Sequence, residues 1–417
     1  MPFSKLQDSV ENGKEAFAWI IAPYDIEIFF RKVYVTNRKE PNYYGDLFSS
    51  AMFVEILQKN FVEYGTNINV ALYNGDERKT LNGTGRVYPE QIKIHLKEGR
   101  SIQLINPQTF CDNVWYLCDT LQEFFGSFVG ANTYLTPAGS AGFAPHWDDI
   151  DAFLMQIEGR KNWKVYAPQN ECDELPRESS KNFSNDDMKN AKLIFEGWLE
   201  QGDLLYIPRG FIHQVLSKTH SLHLTVSFCR NTAFIDLLEK LLPVTLSSLA
   251  NNLRGLRQSL PVQYLDMEGV LRKNYKLSDQ FALRFTDFLD SHLQNLRAFS
   301  SQFYAAGLDM MACDFMKNAL PPMLTQEKRL SVLGDSNFNI FGTLKKFKKT
   351  TEIRLLRRHT QRLFFETEDE CFIAHRIENS RVSEGRPEVS DLRCSPEETN
   401  VELAELLYSN GILLARF

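Results

Sequence analysis

The sequence has no Cys-x-x-Cys pair, and its seven cysteines are odd in number. That argues against a disulfide framework and against a cysteine-built zinc site. Free thiols fit a reducing compartment such as cytosol or nucleus. Apolar runs are short, none approaching the roughly 18 residues of a membrane span. The first residues lack a charged stretch followed by an apolar one, so no secretory leader is expected. The chain therefore reads as soluble and intracellular. An excess of positive charge is also missing. Lys and Arg number 47 against 53 Asp and Glu, a net charge of −6, which argues against a wholesale nucleic-acid coat. Gly83-Thr84-Gly85 lacks the third glycine and the helix of a dinucleotide fingerprint, and reads as a turn.

What is present begins with size: 417 residues, 43% hydrophobic and 12% aromatic, enough for two or three domains. The chain is organised around residues 145–161. There, Pro145-His146-Trp147-Asp148 leads into an apolar run that ends at Gly159. Such a run reads as a buried strand followed by a turn. Read as part of that strand, His146 and Asp148 project side by side on one face, since side chains alternate. An imidazole and a carboxylate so placed need one more ligand to complete the 2-His-1-carboxylate triad of a non-heme Fe(II) oxygenase. The third candidate is His213, after a Gly202-Asp203 turn, a short apolar strand over 204–207 and a Pro208-Arg209-Gly210 turn. His220 and His223 are its rivals. Their spacing puts them on opposite faces of the next strand, and both read as core or surface imidazoles.

Along the rest of the chain, residues 24–31 have helical apolar spacing and 47–57 read as a helix starting near Ser49 or Ser50. Residues 62–87 alternate like strands, broken by Asn74-Gly75-Asp76, a hairpin signal. Residues 91–99 decide nothing. Residues 101–105 read as a strand and 110–125 as a helix. Strands follow over 131–136, 150–157 and 163–166. This pattern suggests a sandwich or barrel. Residues 171–190 are polar and read as a solvated loop. From 231 the texture becomes helical, with Pro243 expected to break or kink the first stretch. Pro321-Pro322 closes the helices. Residues 326–417 mix short strands with a helix capped by Ser395, Pro396 and Glu398. Between Lys345 and Arg362 lie eight basic residues and one acid, Glu352.

Residues 121–127, 130–137, 146–166, 182–184, 202–214 and 220–225 resemble the Jumonji-C ribosomal oxygenases. The likeness is greatest to the nucleolar branch, the bifunctional histidyl-hydroxylases and lysine-demethylases. It continues more thinly over 315–325 and 353–380. It implies an α+β chain: a double-stranded β-helix, or cupin-like jelly roll, as the Jumonji-C domain over 1–230, a helical dimerisation domain over 231–325, and a winged helix over 326–417. It further implies Fe(II) on His146, Asp148 and His213, with 2-oxoglutarate as cosubstrate. A dicarboxylate in a barrel needs a cation, and Lys161 matches the family's cosubstrate lysine; Arg160 competes, but adjacent strand residues point oppositely. Tyr134, Asn132 and Ser227 match positions that contact the cosubstrate. The implied substrate is a histidine of a large-subunit ribosomal protein, with methyl-lysines of histone tails as a second. Implied too are a homodimer, a nuclear and nucleolar location, and nucleic-acid contact through residues 345–362. The opposing reading is a scaffold that has lost catalysis. The chain departs from the family at Trp147, where Tyr or His is usual, at Phe228-Cys229-Arg230-Asn231, and in a shorter loop between His213 and His220. These departures bear on the placement of Ser227.

Overall fold

The computed structural model describes residues 13–26, 32–74, 77–140, 144–184, 186–216, 219–228, 231–260, 262, 264, 275–321, 323, 347–355, 364–365, 371–372, 399–409 and 413–416. The first elements are α1 (Gly13–Ile21), β1 (Tyr34–Thr36), α2 (Ser50–Lys59), β2 (Ile68–Asn74), β3 (Glu77–Thr80), α3 (Pro89–Lys97), β4 (Ser101–Ile105) and α4 (Asp112–Phe125). Helix α2 starts where its sequence places it. The Ser49 side chain accepts the Met52 N–H at 3.1 Å, filling one of the orphan donors of the first turn. Asn74 faces Glu77 across the antiparallel pair of β2 and β3, while residues 75 and 76 of the Asn-Gly-Asp signal lie outside the described set. Of the helical spacing expected over 24–31, only residues 24–26 are described, and Ile26 stands in a 3-10 turn. Helix α1 ends at Ile21, Tyr24 sits beyond it with its hydroxyl on the Val35 carbonyl at 2.7 Å, and residues 27–31 lie outside the described set. Of residues 91–99, undecided in sequence, 91–97 belong to α3 and 98–99 form the turn that ends it.

Seven strands follow: β5 (Gly130–Thr136), β6 (Asp151–Gly159), β7 (Lys161–Tyr166), β8 (Leu193–Leu199), β9 (Leu204–Ile207), β10 (Ile212–Leu216) and β11 (Ser221–Phe228). They and β1 to β4 form two sheets. The larger runs β1-β9-β6-β11-β5-β4-β2-β3 and the smaller β10-β7-β8. This is the expected jelly roll. Strand β6 is apolar from Ala152 to Met155 because both its faces are covered there. Phe153, Met155 and Ile157 join a core beneath the larger sheet, with Phe17 of α1 and Leu117 and Leu121 of α4. Ala152 and Leu154 point the other way, into a cluster with Trp163, Val165, Leu199, Leu205, Ile207 and Val215 of both sheets. The space between the sheets is therefore filled by apolar side chains at this level.

The chain divides into two compact units, Met1–Asn231 with Asn318–Phe417, and Thr232–Lys317. The second holds α5 (Phe234–Asn252) and most of α6 (Tyr275–Asn318). Pro243 does not divide α5: the helix continues through it, with Leu241, Thr245 and Leu249 buried along one face. Packing of that face outweighs the bond the proline removes. In the last part, β12 (Glu352–Leu355) pairs with β15 (Leu413–Arg416) and β13 (Phe364–Phe365) with β14 (Cys371–Phe372). Strand β15 has no counterpart in the sequence reading. Helix α7 (Thr399–Ser409) follows β14, but the cap expected at Ser395 lies outside the described residues.

Candidate metal centre

His146 and Asp148 do not lie in a strand. Strand β6 starts three residues later, and the pair sits in an irregular lead-in. What holds it is a single antiparallel bridge to His213, with His213 N on His146 O at 2.9 Å and His146 N on His213 O at 3.3 Å. The backbone N–H groups of Gly210 and Arg209 add further stitches, donating to Asp148 O at 3.3 Å and Asp151 Oδ1 at 2.9 Å. The polar loop over 171–190, expected to be solvated, also clamps this lead-in. Ser180 N donates to Trp147 O at 3.0 Å, Phe183 N to Pro145 O at 2.8 Å, and Ser179 Oγ to Asp149 Oδ1 at 2.8 Å. The Trp147 ring lies 5.1 Å from that of Phe183, held on the loop side.

The bridge brings three ligating groups together. Asp148 Oδ1 is 3.9 Å from His146 Nε2, and Asp148 Oδ2 is 3.6 Å from His213 Nε2. One ligand atom from each residue lies within 4.8 Å of the others. Both imidazoles are set in the right tautomer. His146 Nδ1 is 2.8 Å from Ala144 O and His213 Nδ1 is 3.2 Å from Phe211 O. A carbonyl only accepts, so each Nδ1 carries the hydrogen and each Nε2 keeps its lone pair for a metal. Burial, and then the neighbouring His146, bring the His213 pKa down to about 4, which keeps the ring in the neutral form that ligates. Gly210 must stay small. Its φ is +90°, and an added Cβ would stand 2.7 Å from Pro176 Cδ and 2.8 Å from Asp173 O. Gly210→Ala should lower stability by about 1–3 kcal/mol and weaken metal binding, measured by thermal unfolding and by metal titration. An unchanged melting temperature would count against this tight approach of loop to ligand strand.

Lys161 is 1% exposed. The turn residue Arg160 stays outside, stacked on Trp198 and paired with Glu200 at 3.4 Å. Lys161 Nζ lies 2.9 Å from His223 Nδ1. Burial alone lowers its pKa to about 7. Burial, then the Lys161 charge, pushes His223 well below its usual range, so it meets the ammonium as a neutral acceptor. Tyr134 stacks on the face of the His223 ring, 4.8 Å between ring centres. His223 is thus a site residue that the sequence reading set aside. It lies 62 residues from Lys161, a contact no local pattern carries. Along β7, Val165 faces His213 in the ladder and Lys161 follows four residues away, about 13 Å. Trp163 stands between, its ring 6.3 Å from His213 and 5.4 Å from His223.

Of the other expected cosubstrate residues, Asn132 faces Thr225, two pairs along the ladder from Tyr134–His223. Ser227 is four pairs along, paired with Gly130, whose carbonyl takes its hydroxyl at 3.3 Å. The structure therefore does not bring Ser227 to Lys161: four residues of strand, about 13 Å, separate it from His223. His220, the remaining rival, is exposed beside Glu158.

The donor set fits ferrous iron and a dicarboxylate. Two imidazole nitrogens and one carboxylate leave positions open on an octahedral metal. A buried ammonium whose hydrogen-bond partner among the described residues is a neutral imidazole suits an anion arriving along the lumen. A jelly roll with such a centre defines a Jumonji-C type metal-dependent oxygenase domain, and residues 103–235 match the JmjC domain family. Residues 320–388 match the C-terminal winged-helix domain of ribosomal oxygenase 1. The chain is 51% identical to the bifunctional lysine-specific demethylase and histidyl-hydroxylase NO66 of Brugia malayi, over 100% of this chain and 63% of that one. It is 52% identical to its namesake in Caenorhabditis elegans, over 93% of this chain and 53% of that one. It is 38% identical to ribosomal oxygenase 1 of Gallus gallus, over 99% of this chain and 74% of that one. The chain belongs to the Jumonji-C ribosomal oxygenase family. It spans between half and two thirds of the length of these nematode relatives. Among solved structures, the Escherichia coli ribosomal oxygenase YcfD superposes with a TM-score of 0.46 at 15% identity, over 93% of this chain and 95% of that one.

Proposed function

We propose that the chain is an Fe(II)- and 2-oxoglutarate-dependent protein oxygenase that hydroxylates a histidine of a large-subunit ribosomal protein. The observation that carries this is the meeting of His146, Asp148 and His213 at one point, with a buried lysine down the lumen. Bound there, ferrous iron with 2-oxoglutarate and dioxygen would supply an oxidant able to take hydrogen from an unactivated C–H bond. His146, Asp148 and His213 hold the metal through Nε2, a carboxylate oxygen and Nε2. Lys161 takes the far carboxylate as a charge-assisted pair, and Tyr134 contributes its hydroxyl. Asn132 and Ser227 line the same sheet face nearer the metal. The apolar residues around Leu154 and Val165 keep bulk water from the lumen.

The names of the relatives, lysine-specific demethylases as well as histidyl-hydroxylases, favour a second activity at the same centre, removal of methyl groups from lysines, with histone tails as the substrate the family resemblance implies. Hydroxylation of an N-methyl carbon gives a product that collapses to formaldehyde. A mass gain of one oxygen on a histidine-containing ribosomal peptide supports the hydroxylase. Formaldehyde from methylated histone peptide, without that gain, would reverse the order of the two. A catalytically silent scaffold would form no succinate with either peptide, and the intact triad speaks against it.

Self-association through the helical unit is part of the same reading. Phe234 is 87% exposed and Leu283 68%, a load of bare apolar surface that a second copy would cover. The nuclear and nucleolar location, and nucleic-acid contact through the basic stretch over 345–362, follow from the family resemblance and that stretch's charge.

A further inference from the structure

A row of amide side chains crosses the face of the larger sheet and ends on Tyr134. Asn69 of β2 faces Gln103 of β4, Gln103 faces Tyr134 of β5, and Tyr134 faces His223 of β11. The four side chains stand at one level, as cross-strand neighbours do. Hydrogen bonds link the first three, and Asn82 extends the row beyond the sheet. Asn82 Nδ2 donates to Asn69 Oδ1 at 3.0 Å. Asn69 Nδ2 donates to Gln103 Oε1 at 3.3 Å, and Gln103 Nε2 donates to the Tyr134 hydroxyl oxygen at 3.2 Å.

An amide can be turned either way, so the direction of such a row needs an anchor. Here the backbone provides it. Val70 N–H, which can only donate, points at Asn82 Oδ1 at 2.8 Å. That fixes the Asn82 oxygen toward Val70 and its nitrogen toward Asn69. Each following amide is then forced into one orientation, because an oxygen must meet each nitrogen. The last link puts an N–H on the Tyr134 oxygen, and a hydroxyl that accepts there gives its own hydrogen elsewhere.

We propose that Asn82, Asn69 and Gln103 are positioning residues that fix Tyr134 as a hydrogen-bond donor to the far carboxylate of 2-oxoglutarate. The proposal rests on the cosubstrate reading of Lys161 and Tyr134 given above. Without the relay, the Tyr134 hydroxyl could turn its hydrogen toward Gln103 and offer the carboxylate only lone pairs.

Gln103→Glu tests this. The carboxylate has nearly the shape of the amide and still accepts from Asn69, but it draws the Tyr134 hydrogen to itself. Titration of 2-oxoglutarate into Mn(II)-loaded protein, without dioxygen, reads binding directly. Gln103→Glu and Tyr134→Phe should each weaken binding roughly tenfold or more, the scale of a hydrogen bond to a charged group. The double variant should be no weaker than the poorer single one, because both remove the same bond. Gln103→Asn, too short to reach, neither donates to the Tyr134 hydroxyl nor accepts from it, so it should cost less than Gln103→Glu, with the loss falling on the 2-oxoglutarate KM rather than on kcat. If Gln103→Glu binds within twofold of wild type, or if the two losses multiply, the relay is overturned. Lys161→Ala in the same titration separates the two readings. If it binds as wild type does, the cosubstrate site itself is misplaced and the relay falls with it.

Discussion

His213→Ala should bring succinate formation to background and abolish stoichiometric metal binding. His213 closes the triad and forms the bridge that seats His146, so its loss removes one ligand and loosens a second. The backbone bonds of that bridge survive the substitution, and the remaining lead-in stays held by Ser179, Ser180 and Phe183. The fold should therefore persist, with near-wild-type melting in the absence of metal. His220→Ala is the matched control: an exposed imidazole beside Glu158, whose removal should leave turnover unchanged. Full activity in His213→Ala would refute the ligand assignment.

Lys161→Ala should raise the 2-oxoglutarate requirement by about 100-fold or more. Removing one partner of a buried ion pair costs about 3–5 kcal/mol, and each 1.4 kcal/mol is a factor of ten. Its effect should depend on pH. Burial lowers the free lysine to about 7, and a bound dianion raises it again. Binding then takes up a proton above pH 7, so affinity should be greatest below about 7 and fall as pH rises past it. Stability of the unliganded protein runs the opposite way. The unfolded chain holds this proton up to about 10.4, so between about 7 and 10.4 it binds more protons than the fold, and stability rises with pH. Lys161→Met should flatten both profiles. An unaltered 2-oxoglutarate requirement in Lys161→Ala would point to another cation.

The triad was legible because its residues sit in local contexts with chemical meaning: a His-x-Asp before an apolar strand, and a His three residues after a Pro-Arg-Gly turn. Strands β4 and β9 are readable to the residue, since turn signals flank both and each is mostly apolar between them. The mistakes share one cause. His146 and Asp148 were assigned to a strand because they precede one, whereas a bridge to His213 and a clamp from the loop over 178–183 hold them. Pro243, expected to break or kink α5, does not break it, because the buried face of that helix decides. His223 and Gln103 gave no signal, since their partners come from other strands and only the sheet's register brings them together. Ser227 matched a motif whose distance from Lys161 depends on counting rungs, which a sequence does not print.

Anomalous diffraction from crystals grown with Mn(II) tests the centre most directly. One peak per chain should lie in contact with Nε2 of His146, Nε2 of His213 and a carboxylate oxygen of Asp148. No peak there, or a peak held by His220 or His223 instead, would contradict the oxygenase account.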